Sequence, residues 1–202
     1  MPRNLTPSDE QLARRAQRGS AASFDALLRR FQAPLLDFLR RRGAAAEAED
    51  LLQDTFVRAY TRLARYRWPW RFSTWLFTIA RRVSINHHRR TQATVWPRGD
   101  DEAIHHAVSA APGPAETAAR EEGRRYLWDR AAEALSESQW TALWLHYVED
   151  MPTRQVACVL GCSRMAVKTM IHRARRKLMP LLQELTPEGC ELAAANIEVP
   201  HE

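Results

Sequence analysis

Ser163-Arg-Met-Ala-Val-Lys-Thr-Met-Ile-His-Arg-Ala-Arg-Arg-Lys-Leu178 is the stretch that settles what kind of fold this chain can adopt. Val167, Ile171, Ala174 and Leu178 recur at helical spacing and form one apolar stripe. Arg164, Lys168, His172 and Arg175 run along another face, with Thr169, Arg173, Arg176 and Lys177 beside them. The spacing predicts an amphipathic helix with one side for a core and one cationic side.

Ser163 is placed to cap the start of that helix, and Gly161 can take the left-handed conformation that ends a preceding one. The preceding helix is predicted from Thr153 to Leu160, burying Val156, Ala157 and Leu160. Two short helices joined at a glycine, the second one basic, form the pattern of a helix-turn-helix whose second helix enters a DNA major groove. The alternative is a solvated charged helix on a small bundle. No Asp or Glu lies between Ser163 and Leu182 to pair with the cations, which favours a nucleic acid.

The chain has 202 residues and a formal charge of +6, room for one medium domain or two small helical ones. Residues 1–92 carry 18 Lys and Arg against 8 acids, and residues 124–185 carry 10 against 6. Residues 93–123 carry 2 against 6, and residues 186–202 carry none against 4. Two basic domains, 1–92 and 124–185, are therefore expected, separated by a flexible acidic linker over 93–123 and followed by an acidic tail over 186–202. The linker is also rich in alanine and carries Pro97, Pro112, Pro114, Gly99 and Gly113. The expected fold is all-α, two small helical domains joined by that linker.

Cys158, Cys162 and Cys190 are odd in number, and no second Cys/His pair has ligand spacing, so at the turn Cys158 and Cys162 are expected as small buried thiols rather than as a disulfide or a zinc site. His105 and His106 sit in the linker without fixed geometry, so no metal and no cofactor is expected. The N-terminus lacks an apolar core of signal-peptide length, and no stretch approaches the roughly 20 apolar residues of a membrane span, so a cytoplasmic setting is expected.

Ser8 with Gln11 predicts a capping box and a short helix that stops at Gly19. A second helix is predicted to open near Ser23 with a stripe of Phe24, Leu27, Leu28 and Phe31, kinked or split at Pro34 before Leu35, Phe38 and Leu39 carry the stripe on to Gly43. From Glu47 to Tyr66 the apolar positions are Ala48, Leu51, Leu52, Thr55, Phe56, Ala59 and Leu63, and the other side presents Glu49, Asp50, Gln53, Asp54 and Arg58. That polar side is either dipole-matched solvation or a docking face for a basic protein.

Arg67-Trp68-Pro69-Trp70-Arg71-Phe72 combines aromatic rings, which stack on bases, with guanidinium groups, which track phosphates. The same tryptophans could equally cap the core. A helix from Ser73 is predicted to face Phe72, Trp75, Leu76, Ile79 and Val83 inward and Thr78, Arg82, Asn86 and Arg89 outward, with Arg81 and Arg90 nearby. In the second basic block, Ser136 with Gln139 predicts another capping box, opening a helix with Trp140, Leu143, Trp144 and Tyr147. His146 with Glu149 reads as structural.

Taken together these stretches resemble a sigma-70 family RNA polymerase sigma factor of the extracytoplasmic-function (ECF) type. Ala48 to Phe56, Ala-Glu-Asp-Leu-Leu-Gln-Asp-Thr-Phe, is similar to the family helix that docks on the polymerase β′ clamp coiled coil. Phe72 to Arg81, Phe-Ser-Thr-Trp-Leu-Phe-Thr-Ile-Ala-Arg, resembles the segment that engages the promoter −10 element. Val156 to Arg175 resembles the −35-reading module.

The resemblance implies core RNA polymerase (β′ and β subunits), promoter DNA and an anti-sigma factor as partners, with no membrane insertion of the chain itself. It implies polymerase binding by Asp50, Gln53, Asp54 and Arg58. It implies −10 contacts by Trp68, Trp70, Phe72, Arg81, Arg82, Asn86, Arg89 and Arg90, and −35 contacts by Arg164, Lys168, Thr169, His172, Arg173 and Arg176. A stand-alone helix-turn-helix regulator would leave the acidic-led helix and the aromatic loop unused. An enzyme would need a phosphate loop, nucleophile elbow or metal-ligand helix, none of which the sequence spells.

Overall fold

The computed structural model describes residues 6–42, 46–67, 70–93 and 126–185, with the backbone alone at 92–93 and 181–185. Trp68, the linker after residue 93, Cys190 and the tail 186–202 lie outside the described residues. Among the described residues every regular element is helical.

Helix α1 (Asp9–Gln17) opens on the capping box of Ser8 and Gln11, each side chain bonding the other's backbone N–H at 3.2 and 3.1 Å. It buries Leu12 and Ala13 and ends before Gly19, whose φ of 96° suits a residue without Cβ. Helix α2 (Ala21–Arg40) begins earlier than expected, because Ser20 and not Ser23 is its N-cap. The two hydroxyls lie 2.9 Å apart, so Ser23 joins the cap from inside the first turn. Pro34 sits inside α2 without ending it, while Phe24, Leu27, Phe31, Leu35, Phe38 and Leu39 keep one face buried.

Helix α3 (Ala48–Arg62) tightens at its C-terminal end into a 3₁₀ turn (Leu63–Arg65), where a single helix to about Tyr66 was expected. The Gln17 amide bonds the carbonyls of Leu63 and Tyr66 at 2.8 and 2.9 Å, so α1 supplies donors that the end of α3 cannot supply itself. Helix α4 (Phe72–Ala93) lies across α1, α2 and α3. Ring pairs Phe31–Phe72 and Phe38–Phe77, with centroids 5.6 and 5.4 Å apart, fix α4 on α2.

In the second half, α5 spans 126–134 and buries Ala131. Helix α6 (Glu137–Tyr147) starts on the predicted capping box of Ser136 and Gln139. It buries Trp140, Leu143 and Trp144 as expected, but also Thr141, Ala142 and Leu145, while Tyr147 is exposed. A helix buried on nearly all sides has cover on both. One side faces α7 (Thr153–Leu160) and α8 (Arg164–Leu185), and the other meets the N-terminal half through Phe38 and Arg42. Gly161 ends α7 at φ 68° and ψ 34°, and Ser163 accepts the Ala166 N–H at 3.1 Å, which makes the turn as the sequence predicts. Helix α8 runs past Leu178, with Pro180 inside it.

Candidate nucleic-acid interface

The cationic surface of α8 follows from what its other side packs on. Val167, Ile171, Ala174 and Leu178 are buried against α6 and α7. Arg164, Lys168, Thr169, His172, Arg173 and Arg176 are consequently all exposed on the opposite side. At ~1.5 Å rise per residue the row is about 18 Å long, enough to follow a groove rather than touch one phosphate. The Thr169 hydroxyl donates to its own helix, to the Met165 carbonyl at 3.0 Å. Lys177, beside them in sequence, turns away to the Ala134 carbonyl at 3.3 Å and tethers α8 to α5.

Met165 is 69% exposed on the first turn of α8, beside Arg164 and Lys168. An exposed apolar side chain at that position suits a thymine methyl. Met165 lies off the charged stripe, so helical periodicity carries no signal for it.

The −10 set divides. Arg82, Asn86, Arg89 and Arg90 are exposed along α4, and Trp70 is 47% exposed in the loop before it. The loop is pinned by Tyr66, whose hydroxyl donates to the Trp70 carbonyl. Burial, with Glu10 nearby, pushes the Tyr66 phenol up to about 12, so it stays a donor. Phe72 faces inward, as the helical stripe predicts, and not toward DNA, as the resemblance implies: at 1% exposure its ring packs on Phe31, Tyr66 and Trp75 and presents no face to a base. The reason is local, since Phe72 is the first residue of α4 and sits on its buried stripe. Arg81 is also not open, because both its Nε and Nη2 donate to Glu137 at 3.0 Å.

On α3, Asp50 and Gln53 are exposed, and Asp54 pairs with Arg58 at 2.7 Å one turn on. Val57 and Tyr60, each 61% exposed, continue the same side. Apolar groups set among polar ones have the composition of a protein-binding patch. The sequence stripe left these two out because neither fits the buried period.

Cys158 and Cys162 are free and half-buried, the Cys158 thiol donating to the Arg154 carbonyl at 3.2 Å. His146 Nδ1 lies 2.9 Å from the Met151 carbonyl, and Glu149 accepts from Trp144 Nε1 at 3.2 Å, so the two residues have separate structural partners. No helix among the described residues is long and apolar enough to cross a membrane.

A helix-turn-helix with an exposed cationic second helix, joined in one chain to a helical domain with a further basic helix, defines a DNA-binding protein of two parts. Residues 27–94 match the family described as Sigma-70 region 2, and residues 125–178 match Sigma-70, region 4. The chain is 32% identical over 187 residues to the RNA polymerase sigma-H factor of Pseudomonas aeruginosa, covering 87% of this chain and 96% of that one. It is 27% identical over 187 residues to the ECF RNA polymerase sigma-E factor of Escherichia coli strain K12, covering 87% and 97%. Among solved structures it resembles CnrH, determined in complex with the cytosolic domain of CnrY, with a TM-score of 0.65 and 27% identity over 88% of this chain and 99% of that one. The fold also matches the sigma factor RpoE of Bartonella quintana, determined with the anti-sigma factor NepR, at a TM-score of 0.53 over 77% of this chain. The chain belongs to the sigma-70 family, in its ECF group.

Proposed function

We propose that this protein binds core RNA polymerase and directs it to −10 and −35 promoter elements, held in check by an anti-sigma factor. The observation that carries the proposal is the presence, on one chain, of an exposed acidic-led face on α3 and an exposed cationic row on α8 with no acid between Arg164 and Pro180. The first suits a basic protein surface and the second suits DNA, so the chain can bridge the two.

In this assignment Asp50, Gln53, Asp54 and Arg58 grip the β′ subunit, with Val57 and Tyr60 as the apolar centre of the contact. Arg164, Lys168, Thr169, His172, Arg173 and Arg176 lie in the −35 major groove, with Met165 at its edge. Trp70 stacks on an unpaired base, and Arg82, Asn86, Arg89 and Arg90 hold the strand around it. Strand separation then draws on captured bases, each stacking contact contributing about 1–3 kcal/mol. A protein partner that holds the chain in check is supported by the likeness to CnrH, whose structure was determined in complex with the cytosolic domain of CnrY.

The test is binding to purified core polymerase by fluorescence anisotropy. Asp50→Arg with Asp54→Arg reverses the charge of the α3 face at exposed or half-exposed positions and is expected to abolish binding with the helical circular dichroism unchanged. Undiminished binding by that variant would remove α3 as the docking face.

A further inference from the structure

The two halves meet through directed contacts between side chains far apart in sequence. Arg42, its side chain 6% exposed just past the end of α2, donates to Ser84 Oγ at 3.2 Å, to Glu137 at 2.8 Å and to Thr141 Oγ1. Arg81 on α4 grips both carboxylate oxygens of the same Glu137. Thr74 on α4 donates to Gln155 Oε1 on α7 at 3.1 Å. Arg41 reaches Asp129 at 3.6 Å and lies over the Trp144 ring, 5.7 Å from its centroid.

Glu137 is the hub of this contact. Burial pushes its carboxyl up, but the hydrogen bonds and charges of Arg81 and Arg42 outweigh that and hold it at about 2, so it is an anion at any physiological pH. It also stands in the first turn of α6, where the helix dipole favours negative charge. An anion held by two guanidinium groups, one of them bidentate, presents the same acceptor geometry as a backbone phosphate. Arg164, Lys168, Arg173 and Arg176 of α8 are exposed in this arrangement, whereas the Thr74 and Arg81 positions of α4 are covered by α7 and α6.

Resting on the assignment of α4 as the strand-engaging surface, we propose that Glu137 is an internal stand-in for a DNA phosphate, latching α4 against the helix-turn-helix half so that the free protein reads duplex DNA through α8 but cannot grip a single strand until the latch opens. A strand phosphate competes with Glu137 for Arg81, and only the open state offers Arg81 to it. Affinity for single-stranded DNA is therefore reduced in proportion to the closed population.

The test uses the full chain, a short mixed-sequence single-stranded DNA and a mixed-sequence duplex. Glu137→Gln keeps the shape and removes the charge. It is expected to expand the protein in small-angle scattering and to tighten single-strand binding roughly tenfold, with duplex binding changed less than about twofold. Adding Arg81→Ala to that variant is expected to cancel the gain. Gln155→Ala, which breaks a different contact of the latch, is expected to shift single-strand affinity in the same direction by less. It decides the matter should Glu137→Gln fail to fold, since no gain there overturns the latch.

Unchanged dimensions and affinity in Glu137→Gln overturn the latch as well. So does expansion without a gain, when Arg82→Ala and Arg89→Ala still weaken single-strand binding. If those two substitutions have no effect either, the assignment of α4 falls with it.

Discussion

Trp140 and Trp144 lie one turn apart on α6 with ring centroids 5.1 Å apart and planes only 15° from parallel. Trp128 meets both edge-on at 5.8 and 4.9 Å, and Phe38 from the N-terminal half closes the cluster at 5.9 Å from Trp140. The stack is thus part of the seam between the halves. Trp140 Nε1 is buried there and finds no hydrogen-bond acceptor among the described residues.

That unsatisfied N–H offsets part of what the large ring contributes by burial. Trp140→Phe is expected to cost less than about 1 kcal/mol, below the usual penalty for shrinking a buried aromatic, because it removes the orphaned donor with the lost volume. Thermal or denaturant unfolding measures it, and a cost above about 3 kcal/mol would show that the indole N–H is satisfied after all.

Two carboxyls give opposite pH dependences. Burial, with Asp37 and Asp150 nearby, pushes Glu149 from 4.5 up to about 7 despite the Trp144 hydrogen bond. A carboxyl raised on folding holds a proton in the folded state that the unfolded chain releases. Its contribution is therefore full below pH 4.5 and is lost as pH rises to about 7. Glu137 is lowered from 4.5 to about 2, so its contribution is full above pH 4.5 and is lost as pH falls towards about 2. Glu149→Gln is expected to flatten the decline between pH 4.5 and about 7, an effect on the order of 1 kcal/mol once solvent screening is allowed for. Melting temperatures across that window, with an unchanged slope in the variant, would refute the assignment.

The α4 region separates two aromatic roles. Trp70→Ala removes an exposed ring and is expected to weaken binding to unpaired promoter strand by about 1–3 kcal/mol with little change in stability. Phe72→Ala empties a core position and is expected to cost about 3–5 kcal/mol of stability. Paired measurements of melting and strand affinity distinguish them, and a stable Phe72→Ala protein would contradict the buried ring.

Lys168→Ala and Arg173→Ala remove exposed cations from α8 without touching its packed side. Each is expected to weaken duplex binding and to lower the slope of log affinity against log salt by about 1 if it meets a phosphate. A base contact instead costs about 1–3 kcal/mol at one position of the site. Titration at several salt concentrations checks this, and equal affinities for both variants and the parent would remove α8 from the groove.

Local chemistry was legible and long-range packing was not. Ser8 with Gln11, Ser136 with Gln139, and Gly161 before Ser163 act within a few residues of themselves, so spacing alone predicted their turns. The exposed row on α8 was equally legible, since Val167, Ile171, Ala174 and Leu178 state which side is buried. The helical stripe correctly set Phe72 inward, where it packs on Phe31; the family likeness alone set it against a base, and rings that stack on bases also fill cores. The partners of Glu137 could not be read at all. Arg81 lies 56 residues away and Arg42 95 residues away, and only the meeting of two separately formed halves joins them.

In the function proposed above, an acidic-led face and separate cationic surfaces on one chain bring a polymerase to DNA. Run-off transcription with purified core polymerase, on genomic templates upstream of genes induced by overexpressing the chain, tests that bridging. Initiation from discrete start sites is expected only when the chain is added, abolished by Asp50→Arg with Asp54→Arg and weakened by Lys168→Ala. Discrete binding to the same templates by the chain alone, with no transcript from core polymerase at any of them, would contradict it.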